Sequence, residues 1–290
     1  MENALFGADE VYVGRDLGGR TLVVSAADVE RYEAGTGDRH PWYHENSSLG
    51  VGLAPALLYH SEVYRDLRWY LPNLIGNLHA KQEWDVFAPL RVGQTVRTRS
   101  TVVARYRKRD RDYVVNEVLL TDANGSWLQR SRTHQSFLVD EPGDEVVVDK
   151  QRERRADRTF DVPAEGEALP TIRRTVSLAM CEAFSGPVRN YHNDREMARA
   201  LGFPDIVVQG MFSICLISEL MTHAFGVGWF CGGQLAVNLV NVLWGEELVH
   251  TQGRVRAQVP EGRRTRVQAD VWCEKADGTK TIVGTASALR

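Results

Sequence analysis

The chain repeats itself. Gly37 and Gly186 stand 149 residues apart, Gly93 and Gly245 stand 152 apart, and the turn pairs Asn124-Gly125 and Asp277-Gly278 stand 153 apart. Three landmarks in one order at nearly one offset are the mark of an internal duplication. The segments between them repeat as well. In the first copy, Ser25 to Asp28 opens a helix reaching Ala34, and the apolar stretch from Ala54 to Leu71 predicts a second helix, with Pro55 early enough to be tolerated. Strand-like runs follow at Lys81 to Phe87, Thr95 to Arg107, Tyr113 to Asp122 and Trp127 to Val139. The second copy offers a helix-like run from Arg173 to Phe184, a long apolar helix from Gln209 to Phe225, and strands at Gly233 to Leu243, Leu248 to Val259, Arg264 to Glu274 and Lys280 to Leu289. Ahead of both copies, Val11 to Val13 is a short strand candidate and Gly18-Gly19 reads as a turn.

A duplicated unit with one long apolar helix and a run of strands suits an α+β fold. In it, antiparallel sheets each wrap a central helix, and two such units lie side by side. Residues 1–140 form the first repeat and residues 171–290 the second. Residues 141–170 are rich in charge, Pro and Gly and read as a linker over the surface, with one short strand candidate at Glu145 to Val148.

Composition excludes more than it selects. The chain has 290 residues, of which 43% are hydrophobic and 25% charged, ample for a globular core. A net charge of −3 gives no reason to expect nucleic acid. The basic runs Arg105 to Arg111 and Arg152 to Arg155 read as solvated turns, the alternative being contacts with the phosphates of coenzyme A. Cys181, Cys215, Cys231 and Cys273 fit no zinc or CxxC spacing, so reduced thiols in a cytoplasmic protein are expected, with no metal and no cofactor. The N-terminus does not read as a signal peptide, and no apolar run is long enough to span a membrane.

The chemistry concentrates between Phe184 and Met211. A Ser185-Gly186-Pro187 turn leads through Asn190, Tyr191 and His192 to Asp194, a good N-cap for the run Arg195 to Leu201, which Gly202 stops. Phe203-Pro204 breaks the chain, and Gln209-Gly210 opens the long helix, whose apolar residues cover most of its circumference. A buried helix beginning at glycine offers free N–H groups to a carbonyl oxygen that gains negative charge. A histidine on the preceding loop can move a proton beside it.

This stretch resembles the hydratase motif of the MaoC-like, hot-dog-fold enoyl-thioester hydratases and dehydratases. Ser185-Gly186, His192, Gly202-Phe203-Pro204 and Gly210-Met211 match that motif in order and spacing. Pro187 stands where the family has its catalytic Asp, Arg189-Asn190 replaces Asn-Pro, and Gln209 replaces a His. The resemblance implies a double hot-dog fold and a substrate carried as a thioester of coenzyme A or acyl-carrier protein. It also implies hydration of an enoyl thioester or dehydration of a 3-hydroxyacyl thioester.

On that basis the expected catalytic residues are His192 as acid and base, Asn190 to orient it or to hold a water, and Gly210 through its backbone N–H. Tyr191, Gln209, Met211 and Trp229 are the expected substrate-binding residues. Aligning the repeats puts Asp38 over Pro187 and Tyr43 over His192, so one copy keeps the acid and the other the histidine. With that dyad divided, three further readings stand beside the hydro-lyase: a thioester isomerase or cyclase, a thioesterase, and an acyl-thioester-binding protein. Whether the unit pairs again as a homodimer is open at this stage.

Overall fold

The structure, a computed structural model, describes residues 11–65, 77–108, 111–138 and 157–290. One antiparallel sheet organises them. Its strands are β1 (Asp16–Val23), β2 (Asn77–Val86), β3 (Thr95–Lys108), β4 (Arg111–Asp122), β5 (Trp127–Leu138), β6 (Ile172–Thr175), β7 (Gly233–Leu239), β8 (Leu248–Glu261), β9 (Arg264–Lys275) and β10 (Lys280–Leu289). They lie in the order β1-β3-β4-β5-β2-β7-β10-β9-β8-β6. That order is a palindrome once β1 to β5 are matched with β6 to β10.

The duplication is visible in the register. The β3–β4 pairing slips between Val102 and Ala104, and the β8–β9 pairing slips between Val255 and Ala257. The two bulges are therefore one sequence feature used twice. The halves meet where β2 pairs with β7, from Lys81 opposite Asn238 to Val86 opposite Gly233.

The helices are α1 (Ala26–Thr36), α2 (Glu62–Arg65), α3 (Leu178–Ser185), α4 (Arg195–Ala200), α5 (Gly210–Phe225) and α6 (Val227–Phe230). Ser25 caps α1 through a capping box with Asp28, and Ser177 caps α3 through the Met180 N–H. α1 has 11 residues and α3 has 8, which accounts for the drop in offset from the Ser caps to the glycines that end these helices. α5 is the central helix. Every residue from Met211 to Thr222 is buried, and the helix packs on β6, β8, β9 and β10, with α1 against it.

The first half departs from the expectation of a matching helix over Ala54 to Leu71. Residues 54–61 run as successive turns, with Leu58, His60 and Glu62 N–H groups bonded to carbonyls three residues back. Only Glu62–Arg65 is α-helical among the described residues, and 66–71 lie outside them. The sheet explains the change. Gln129 on β5 donates its side-chain amide to the Ala56 carbonyl, and Asn116 on β4 donates to the Val63 carbonyl at 3.1 Å. Carbonyls that a helix would use internally are thus bonded across to strands.

Smaller differences have local causes. Val11 is no strand residue but packs with Val102 and Val114. Gly18-Gly19 belongs to β1, where a side chain at Gly19 would strike the Thr98 carbonyl. The run from Arg173 begins as β6, and its helix starts only after Ser177. β7 ends at Leu239, short of the expected Leu243. The strand candidate Glu145 to Val148 lies outside the described residues. Downstream of it, Glu167 and Leu169 bond to Val255 and Gly253, laying that segment along β8.

Candidate active site

The loop between α3 and α4 is built by its own amides. Asn193 Nδ2 donates to the carbonyls of Gly186 and Val188, both at 3.0 Å, and its Oδ1 accepts from Asn190 N–H at 2.8 Å. Asn193 was not singled out by the sequence, because its role lies only in these contacts. Asn190 acts on the backbone of this loop. Its Oδ1 accepts from the backbone N–H of His192 at 2.8 Å and its Nδ2 donates to the Val188 carbonyl at 2.8 Å. It fixes the backbone of His192 and does not reach the imidazole. Asp194 is consumed by capping α4 and by an ion pair with Arg189.

The His192 ring bonds instead to the protein on its far side. Nδ1 lies 2.7 Å from the Val207 carbonyl. A carbonyl only accepts, so Nδ1 carries the proton and Nε2 presents a lone pair. Burial pushes the pKa of His192 down to about 4, against the pull of the Val207 carbonyl. The ring is therefore neutral near pH 7 and acts first as a base. The Tyr191 ring lies 3.9 Å from it, centroid to centroid.

Val207 leads directly into α5. Gln209 occupies the N-cap position without a side-chain capping bond. The first N–H groups, at Gly210 and Met211, have no intrahelical acceptor. Gly210 also has a packing reason, since a side chain there would collide with Leu239 of β7. Met211 is 0% exposed, backbone included, whereas Gly210 keeps part of its surface accessible. Trp229 corrects an expectation. It is 0% exposed, and its Nε1–H donates to Ser218 Oγ at 3.0 Å, which makes it core and not a pocket wall.

The other half contributes a histidine that sequence reasoning missed. His79 on β2 places Nδ1 3.8 Å from where a Gly210 Cβ would be. Tyr64 of α2 bonds this Nδ1 at 2.7 Å, and His79 Nε2 lies 3.0 Å from Gln82 Oε1. Gln82 Oε1 also accepts from Thr133 at 2.8 Å, while its Nε2 donates to the Glu83 carbonyl. Burial pushes His79 down to about 4 and raises Tyr64 well above an ordinary phenol, with Tyr191 adding to the Tyr64 shift. Tyr64, His79, Tyr191, His192, Gln209 and Gly210 all keep part of their surface accessible. A histidine at the start of a strand has no motif; only the packing of the two halves gives it away.

The first repeat's loop is closed by comparison. Asp38 is 1% exposed and accepts from the Tyr43 hydroxyl at 2.8 Å and from His40 N–H at 3.2 Å. Burial and the charge of Glu219 push its pKa up to about 7, against the Tyr43 bond. Trp42 lies against Gly226, and His40 faces His223 near the end of α5. Among the described residues, no group of three His, Cys, Asp or Glu could hold a metal ion.

This architecture matches known proteins. A MaoC-like dehydratase superposes with a TM-score of 0.73 at 19% identity, covering 97% of this chain and 98% of that one. A MaoC-like dehydratase from Phytophthora capsici gives 0.71 at 18%, covering 98% and 99%. A conserved hypothetical protein of Mycobacterium tuberculosis with a double hot-dog fold gives 0.62 at 14%, covering 97% of each chain. The chain therefore has the MaoC-like double hot-dog fold. Residues 11–129 match the family model of the FAS1-like dehydratase domain region. No curated protein matches the sequence.

Proposed function

We propose that the protein is a hydro-lyase of acyl thioesters, interconverting an enoyl thioester and a 3-hydroxyacyl thioester carried on coenzyme A or acyl-carrier protein. The observation that carries this reading is the fixed tautomer of His192, whose free Nε2 lies on the loop leading to the uncapped start of α5. The dehydratase-region match supports the reaction class. The thioester oxygen takes the N–H group of Gly210, and negative charge gathers there when C2 loses its proton or C3 takes a nucleophile. Such a donor is worth roughly 3–4 kcal/mol in other enzymes. His192 Nε2 moves the proton between C2 and the oxygen at C3. Tyr191 and Gln209 flank the acyl group. Free thiols at Cys181, Cys215, Cys231 and Cys273 fit work in the cytoplasm.

One observation favours a second reading, a thioester isomerase or cyclase. Pro187 is exposed and, among the described residues, no carboxylate is bonded to the His192 ring, so the shuttle works without an acid beside it. A panel of enoyl and 3-hydroxyacyl thioesters on both carriers separates the readings. Reversible change in enone absorbance is expected for at least one pair, with crotonyl-coenzyme A slow for want of the acid. Thiol release, or rearrangement without water uptake, overturns the hydro-lyase reading.

A further inference from the structure

We propose that Tyr64, held by His79, is the second substrate-contacting group of this site, and that it orients the water that adds, or the hydroxyl that leaves, against His192. The proposal rests on the hydro-lyase reading above and supplies what the Pro187 turn lacks.

The argument is one of hydrogen-bond direction. Gln82 spends its amide N–H on the Glu83 carbonyl, so its Oε1 faces His79 and can only accept. His79 Nε2 must then carry the proton, which leaves Nδ1 bare. The bare Nδ1 lies 2.7 Å from Tyr64 Oη, so the phenol proton points at His79. Tyr64 thus shows its surroundings lone pairs and no proton. His192 does the same, because its Nδ1 proton is committed to Val207. Tyr191 links the two, its ring tilted at 42° against His192 with centroids 3.9 Å apart, and close enough to Tyr64 to raise its pKa. His79 in turn adjoins Gly210, where the thioester oxygen would lie.

Two acceptors and one backbone donor define a ligand. A molecule with two O–H donors fits the acceptors, and a developing oxyanion fits the backbone donor. Water and an α,β-unsaturated thioester satisfy both. In the hydration direction, water gives one proton to His192 Nε2 as its oxygen bonds C3. The C2=C3 electron pair moves to C2 and onto the thioester oxygen. The imidazolium then returns the proton to C2. Tyr64 keeps its own proton throughout. It accepts the second O–H, which remains on the product as the 3-hydroxyl.

The test compares two reactions of the folded protein, with folding checked by circular dichroism. Hydration of an enoyl thioester needs the oriented water. Exchange of C2–H for deuterium in butyryl-coenzyme A needs His192 and the N–H at the start of α5, but no oriented water. Tyr64→Phe should lower kcat for hydration about 10- to 100-fold while leaving KM and C2 exchange unchanged. His79→Leu, which lets the phenol proton turn outward, should match it. His79→Asn, which keeps an acceptor near Nδ1, should recover to within about fivefold of wild type. Hydration by Tyr64→Phe within about twofold of wild type overturns the proposal, as does a parallel loss of hydration and exchange. If the wild-type protein itself turns over no thioester, the hydro-lyase reading fails and this proposal fails with it.

Discussion

The two repeats carry the same loop on the same scaffold and close it differently. In the first, Gly37 adopts φ 74°, ψ 5°, caps α1, and turns Asp38 inward to meet Tyr43. In the second, Gly186 has φ 81° but ψ −179°, and Pro187 emerges exposed. Proline disfavours a compact ψ in the residue before it, because its Cδ crowds that residue's N–H. One residue therefore sends the two loops along different paths. The closed loop holds an acid that no substrate can reach, and the open loop holds a histidine without an acid. A short turn can thus separate a structural role from a chemical one while the sheet beneath stays the same.

The largest test of this contrast is deletion of each loop's polar group. His192→Ala should cut turnover by about 100-fold or more, a usual size for loss of an acid–base group. Asp38→Asn should leave turnover within about twofold, since the carboxyl is sealed from solvent. Comparable losses in steady-state kinetics would erase the distinction.

A second experiment tries to convert one loop into the other. Pro187→Asp frees Gly186 to adopt the Gly37 conformation and restores an acid five residues before the histidine. Crotonyl-coenzyme A hydration should then rise about tenfold, and the pKa of His192 should move up from about 4 as the new carboxylate favours the imidazolium. Titration of the His192 ring by NMR reads this directly. An unmoved ring would mean that the loop path is fixed by more than the proline.

The smallest effect concerns stability. The pKa of Asp38 is about 7 in the fold and near 3.8 when unfolded, so the native state holds a proton that the unfolded chain releases between those values. Its contribution is fully present below pH 4 and is lost as pH rises toward 7, by about 1.4 kcal/mol per pH unit. Histidines pushed down by burial, His60 to about 3 and His79 to about 4, act oppositely in the acid range, so the comparison needs Asp38→Asn. The variant should gain on wild type as pH rises from 4 to 7 in urea titrations. A constant difference across that range would deny the buried proton.

Much of this could be read before the structure. The repeat offset, the Ser25 cap, the strands from Thr95 and Leu248, and α5 follow from periodicity and local caps, which act over a few residues. The helix over Ala54 to Leu71 could not be judged that way, because Gln129 and Asn116 reach its carbonyls from strands far along the chain. Trp229 misled for a related reason, since nothing local distinguishes a pocket wall from a core indole bonded to Ser218. His192 was legible as a motif residue. Tyr64 and His79 were not, because their place beside Gly210 exists only once β2 meets β7.

That meeting also governs how the molecule avoids sticking to itself. Two separate five-stranded sheets would present four open edges, each a template for pairing with another chain. Joined through β2 and β7, the ten strands leave, among the described residues, only β1 and β6 at the rims. β6 is four residues long, and the segment from Glu167 to Leu169 covers the edge of β8 from Gly253 to Val255. β1 carries a bulge between Asp16 and Gly18, and Arg20 on it is tied to Glu62. The duplication thus leaves the molecule with fewer exposed edges than its two halves would have apart.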